Sequence, residues 1–268
     1  MAHLKVNDIS MYYETYGVGE PLVLIAGFTA DHTVWSEVVT RFKDKYQVIV
    51  FDNRGAGQTD VPDAPYSIEQ MANDVAGLCV GLGIKKAHFI GNSMGGFILQ
   101  ALIHHHPELV KSAIISHSSA TTNTPFRVYV EAQLEMFRAN VPAAIISKAM
   151  CAWVFSSQFM AQPGIVDFLI QIALANPFPF TLKGYEGQLV ALTHFDSRPW
   201  LQQFNVPVLV LSSDQDLIFR EPLAKFLVAH ISGARYYCFS ECGHLPQVEY
   251  PEQMVGIVHE FIDNLNTN

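Results

Sequence analysis

Basic residues are few in this chain, and those present are scattered. Sixteen lysines and arginines stand against twenty-five aspartates and glutamates in 268 residues, a formal charge of −9. Nucleic-acid affinity rests on clustered Lys and Arg, so a nucleic-acid partner is excluded, and the dispersed negative charge speaks only to solubility. Cysteine is scarce too. The four, at positions 79, 151, 238 and 242, form no C-x-x-C pair and read as reduced small hydrophobes. Cys238, Cys242 and His244 lie close in sequence but match no common zinc spacing, so no metal is expected. No uncharged apolar run reaches the ~18 residues a bilayer span requires. The start, Met1-Ala-His-Leu-Lys-Val6, lacks a charged segment followed by an apolar one. A cytoplasmic protein with no membrane partner is the expectation. Walker spacing and the dinucleotide fingerprint are missing as well, even at the glycine-bearing stretch Asp52-Asn-Arg-Gly-Ala-Gly-Gln-Thr59, so no cofactor is expected. Asp52 and Arg54 read there as an ion pair pinning the loop.

The chain has ample material for a core, with 50% hydrophobic and 12% aromatic residues. Its length suits one large domain carrying an insertion as readily as two small domains. Residues 3–16 alternate around Asn7-Asp8 and read as an edge hairpin. Pro21–Ala26, Tyr46–Phe51, Val110–Ser116 and Val206–Ser213 are short, almost wholly apolar runs, as in strands covered by helices on both faces. Ser67 and Gln70 form a capping box. It opens a helix whose apolar positions 68, 71, 72, 75, 78, 79 and 82 keep helical spacing. A helix over about 221–231, a strand over 234–239 and a final amphipathic helix complete an alternating α/β pattern, which implies a mostly parallel sheet. His104-His-His106 ends the helix that starts near Phe97, where positive charge is favoured.

One stretch organises the rest. Ala87-His-Phe-Ile-Gly-Asn-Ser-Met-Gly-Gly96 is a strand-like run, a serine fenced by glycines in the pattern G-x-S-x-G, and then a helical segment. A strand that turns at once into a helix strains the residue at the bend and leaves no room for side chains two positions away. The bend would lift the Ser93 hydroxyl clear of the sheet, beside the free N–H groups of the next helix. A nucleophilic serine needs a base and a group to orient that base. Asp214 and Asp216 follow one strand and His244 follows another, so both groups stand at strand carboxyl ends, where open α/β sheets place their sites. Spacing alone leaves the choice between Asp214 and Asp216 open, while Asp196 lies outside this strand end.

These residues carry a family resemblance across essentially the whole chain. Leu24-Ile-Ala-Gly-Phe28, Phe51-Asp-Asn-Arg-Gly-Ala-Gly57, Tyr66-Ser-Ile-Glu-Gln70, the serine bend, Asp216 and Gly243-His-Leu-Pro-Gln-Val-Glu-Tyr-Pro251 together resemble the cap-bearing α/β-hydrolases. Pro65-Tyr-Ser-Ile-Glu-Gln70 and the spacing around Ser93 are most similar to 3-oxoadipate enol-lactonases and related esterases. The resemblance implies an α/β-hydrolase fold with a mostly parallel central sheet, flanking helices and an inserted helical cap. It implies Ser93 as nucleophile, His244 as base and Asp216 rather than Asp214 as the acid. The Phe28 and Met94 N–H groups would form the oxyanion hole. One departure is that Ala26-Gly27 stands where the family usually has His-Gly. The implied function is cleavage of a small carboxylic ester or lactone through an acyl-enzyme. The alternatives are a carbon–carbon bond (meta-cleavage product) hydrolase, which Gly91–Gly96 also resembles, and a non-catalytic ligand-binding member of the fold. Serine in place of aspartate at the bend argues against a haloalkane dehalogenase.

After Ser119 the strand–helix alternation stops. Residues 122–195 read as helices broken at Pro142, Pro163-Gly164 and Pro177-Phe-Pro179. They are taken as the cap, with 1–121 and 196–268 as the core domain. Among the cap aromatics, Trp153 is the candidate for substrate binding. Enol-lactone substrates carry a carboxylate and call for a pocket cation, for which the cap offers Arg127, Arg138, Lys148 and Lys183, none in a telling pattern. The expected partner is a small ester or lactone, and no oligomeric state is read from the pattern.

Overall fold

The computed structural model describes residues 2–63 and 65–266. Eight strands form one sheet: β1 (Ala2–Val6), β2 (Ile9–Tyr16), β3 (Glu20–Ile25), β4 (Tyr46–Phe51), β5 (Ala87–Asn92), β6 (Val110–Ser116), β7 (Val208–Ser213) and β8 (Arg235–Phe239). Their spatial order is β1-β2-β4-β3-β5-β6-β7-β8. The expected hairpin is there, turning at Asn7 with a positive φ of 49°. β2 also pairs antiparallel with β4, and every pairing from β4 through β8 is parallel.

Helices cover both faces, which explains the uninterrupted apolar strands. In β3, Val23 and Ile25 face one core, with Phe89, Phe97 and the apolar stripe of α2 (Ile68–Gly81). Leu22 and Leu24 point the other way, toward Trp35, Phe42 and Phe261. That second face is closed by α1 (Ser36–Phe42) and α11 (Pro251–Asn266). Ser67 caps α2 as its sequence implies, its Oγ accepting from the Gln70 N–H at 3.1 Å.

The loop after β4 departs from the expected pairing. Arg54 does not bond Asp52. Its guanidinium is buried and donates to Asp74 Oδ2 at 2.8 Å and to Asp8 Oδ1 at 2.6 Å, tying the loop to α2 and to the β1–β2 turn. Asp52 instead accepts from the His32 and Gln58 N–H groups and lies 2.8 Å from His32 Nδ1. The Asp52 carboxylate is occupied by backbone donors that the bend itself presents, so the guanidinium reaches past it to partners remote in sequence.

α3 (Met94–His105) begins three residues earlier than the apolar pattern suggests, immediately after Ser93. Between β6 and β7 the chain runs through five α-helices, α4 (Thr124–Arg138), α5 (Ala143–Val154), α6 (Ser157–Met160), α7 (Ile165–Ala175) and α8 (Leu182–His194), and a 3-10 turn at Leu201–Gln203. Thr121 and Asp196 pair as an isolated bridge at the neck of this excursion, and the Ser197 N–H bonds Ala120 O at 2.9 Å beside it. α9 (Glu221–His230) and α10 (Pro246–Glu249) complete the set. No helix of the described residues is long and apolar enough to cross a membrane.

Candidate active site

The sheet reverses its winding at β3. The chain steps from β3 to β4 on one side and returns as β5 on the other, so the carboxyl ends of β3 and β5 flank a switch-point crevice, the usual ligand position in such sheets. Gly27 and Phe28 follow β3, and Ser93 follows β5.

Ser93 adopts φ 58° and ψ −120°, a conformation costly for a residue with a side chain. Tight packing sustains it. A Cβ at Gly91 would lie 2.2 Å from Gly95 O, and one at Gly95 would lie 2.1 Å from Ile25 O, so both flanking glycines are required by backbone contact. The Ser93 N–H bonds Ser116 O at 2.9 Å, fastening the bend to β6. Met94 opens α3, and its N–H therefore has no acceptor within the helix.

His244 follows β8 in a buried loop. Its Nδ1 is 2.9 Å from Asp216 Oδ2, while Asp216 Oδ1 accepts the Ile218 and Phe219 N–H groups at 2.8 and 3.0 Å. Burial opposes the Asp216 charge, but the His244 ring foremost, with smaller contributions from His117 and the Phe219 N–H, outweighs it and holds the carboxyl below its ordinary value. Asp214 does not reach the histidine. It accepts from the Glu241 and Cys242 N–H groups at 3.0 and 3.4 Å and shapes the turn that leads to His244. His244 Nε2 is buried and has no hydrogen-bond partner among the described residues.

Ser93, His244, Gly27 and Phe28 line one cavity of ≈ 270 Å³. Its outer wall comes from the excursion, including Phe126, Tyr129 and Gln133 on α4, Met150 on α5, and Phe180. The loop after β3 is fixed from above: Gln188 on α8 accepts the Thr29 N–H through Oε1 and donates to Arg54 O through Nε2, both at 2.8 Å. The His244 loop is fixed similarly. His244 N–H bonds Val154 O at 2.7 Å, and Glu249 accepts from the Gly243 N–H at 3.0 Å and from Ser156 Oγ at 2.5 Å. Behind the pair sits His117, fully buried, with its ring 6.0 Å from that of His244 and its nitrogens bonded to Ser116 and Ser213 hydroxyls.

Trp153 is placed differently from the expectation. It stacks on Tyr129 with centroids 4.4 Å apart and lies outside the residues lining the cavity. Tyr129 itself lines the cavity, with the indole stacked against its ring. Tyr129 and Gln133 were not singled out by sequence, although their spacing of four on a helix puts them on one face. Elsewhere, a larger and more open depression of ≈ 490 Å³ includes Asp8 and Arg54, whose charges already pair with each other. Asp31, His32 and Asp52 cluster within 4.8 Å. Their carboxylates already accept from Thr33, Asn176, His32 and Gln58.

A mostly parallel eight-stranded sheet, helices on both faces and a serine on a strained strand–helix bend define an α/β-hydrolase. The α/β-hydrolase fold family model matches residues 20–154, and the chain belongs to that family. It is similar to 3-oxoadipate enol-lactonase 2 of Acinetobacter baylyi, 29% identical over 98% of this chain and 97% of the relative. Among solved structures it resembles the enol-lactonase from Burkholderia xenovorans LB400, at TM-score 0.87 and 26% identity over 97% of this chain and 99% of the other. A thermophilic esterase from Thermogutta terrifontis gives TM-score 0.87 and 25% identity over 98% and 99%. The protein is a hydrolase of the α/β fold with enol-lactonase and esterase relatives.

Proposed function

We propose that this protein is a serine hydrolase that cleaves a small carboxylic ester or lactone, with residues 122–195 as a cap over the site. The observation that carries the reading is the pairing of two features in one cavity. Ser93 is held on a bend that no inert serine requires. His244 presents a buried, unengaged Nε2 while its Nδ1 is held by Asp216. Catalytic hydrogen bonds in unliganded sites commonly close only when substrate binds.

In this mechanism Ser93 Oγ bonds the carbonyl carbon as its proton passes to His244 Nε2. Asp216 keeps the ring in the tautomer that can accept it and stabilises the imidazolium. Negative charge on the carbonyl oxygen is met by the Phe28 and Met94 N–H groups, each such donor being worth about 10²–10³ in rate. The carbon–oxygen bond of the leaving alcohol then breaks, and His244 returns the proton to that oxygen. Water repeats the sequence on the acyl-enzyme and releases the acid. A cavity of ≈ 270 Å³ suits a small molecule. Four cysteines without a disulfide support action in the reducing cytoplasm.

Fluorophosphonate labelling tests the reading. Wild-type protein should be labelled at Ser93 and lose activity. Ser93→Ala should abolish labelling and lower ester turnover by roughly 10⁶ if the three residues act as a unit. Near-normal turnover in that variant, or labelling elsewhere with full inactivation, overturns the assignment.

A further inference from the structure

Resting on that reading, we infer that the cavity selects an ester or lactone whose acyl part carries no charge, and that the Tyr129 hydroxyl donates a hydrogen bond to a neutral acceptor on it. Among the described residues, no lysine, arginine, aspartate or glutamate lines the cavity. The cations of the excursion are all engaged or directed elsewhere. Arg127 Nε donates to Thr122 Oγ1 at 2.8 Å, Arg138 pairs with Glu135 and Glu186, and Lys183 pairs with Asp63. Lys148 is exposed on α5 and absent from the lining. A carboxylate entering this space would give up its hydration with no positive partner. It would also approach the ionised Asp216 behind His244. This sets the chain apart from what the name 3-oxoadipate enol-lactonase implies for its relatives, since lactonising one carboxyl of a dicarboxylic acid leaves the other free.

The wall facing an acyl chain is apolar, with Phe126, Met150 and Phe180, and it is broken by one polar address on α4. The Gln133 amide donates to the Tyr129 hydroxyl at 2.9 Å, so the phenol oxygen serves as acceptor and its own proton is free to donate. No acceptor among the described residues takes that proton. Stacking on Trp153 fixes the ring, and beside Gln133 the Tyr185 hydroxyl donates to Val130 O at 2.8 Å and lies 3.4 Å from Gln133 Oε1. Burial pushes the Tyr129 phenol well above its ordinary range, which keeps it a donor at any working pH. A ketone, ether or second ester oxygen meets this requirement without bringing charge.

The experiment uses three fluorophosphonates of equal tail length, ending in a plain alkyl chain, carrying a mid-chain ketone, or ending in a carboxylate. Each Ser93 labelling rate is divided by the probe's own hydrolysis rate. The uncharged probes should label about 10²-fold faster than the carboxylate probe, and a preference below roughly tenfold, or an inverted one, overturns the selection against charge. Tyr129→Phe, which keeps the stacking, should lower the ketone-to-alkyl rate ratio by about tenfold, and an unchanged ratio removes Tyr129 from recognition. Absence of labelling by all three probes would defeat the serine-hydrolase reading itself, and this inference with it. Labelling by all three at equal rates leaves that reading standing and defeats only this one.

Discussion

Two aspartates two positions apart have different surroundings, and the difference lies in which donors each carboxylate faces. Asp216 points an oxygen at His244 Nδ1 and is fully buried, while Asp214 spends both oxygens on the turn over residues 240–242. Replacing Asp216 with Asn puts an amide where the carboxylate stood and favours the wrong imidazole tautomer. The expected loss in kcat is about 10⁴. Asp214→Asn keeps a side chain able to accept from the turn and should cost less than roughly tenfold in kcat, with a lowered melting temperature as its main effect. Steady-state kinetics on one ester with both variants settles the matter, and the reverse order would reassign the acid. Sequence spacing could not separate these two residues, because positions i and i+2 of an extended segment share a direction. The family resemblance favours Asp216, and in the structure it is the tertiary approach of the His244 loop that distinguishes the two.

At the scale of elements, strands were legible and long-range pairs were not. β4 and β6 run over the residues their apolar patterns mark, because a strand covered on both faces stays largely apolar along its length. α3 was partly hidden: Gly95 and Gly96 resemble breakers, yet both are helical, Gly95 small because α3 presses there on the Ile25 carbonyl at the end of β3 and Gly96 because Ser118 lies against it. The Asp52–Arg54 expectation failed because proximity in sequence stood in for proximity in space, whereas Arg54 binds residues 46 and 20 positions away. Tyr129 and Gln133 carry no motif at all, and only the fold of α4 over the crevice marks them. The Arg54 cluster has a measurable consequence. Arg54 and Asp74 are each only 1% exposed, and removing one member of a buried pair strands the other charge. Arg54→Met should cost about 3–5 kcal/mol in urea unfolding. Adding Asp74→Asn should recover about 1–2 kcal/mol, since it neutralises the stranded carboxylate. Purely additive losses in the double variant would show that the pair is not a coupled unit.

For the whole molecule, the buried ionisable groups around the crevice make stability depend on pH, with opposing signs. Burial foremost pushes His117 down to about 3 from an ordinary 6.5. Between those values the unfolded chain holds a proton that the folded chain refuses, so stability falls as pH drops below 6.5 and is unaffected above it. Asp216, held below its ordinary 3.8, acts in the same direction at lower pH: its contribution is present above that value and is lost as acid titrates the folded carboxyl. Glu249 acts oppositely. Burial raises it above 4.5, so the folded state takes up the proton first and gains relative stability as pH falls toward that value. Of these three groups His117 is the one that acts between pH 6.5 and 5, where its cost reaches on the order of 2 kcal/mol at pH 5. Urea midpoints measured across this range should therefore decline with acid in the wild type. His117→Asn, which tolerates the positive φ of 49° at this position, should start lower at pH 7 because two buried serine hydroxyls lose their partner, yet show a flatter decline. A variant whose midpoint falls as steeply as the wild type would place the acid sensitivity elsewhere than behind His244.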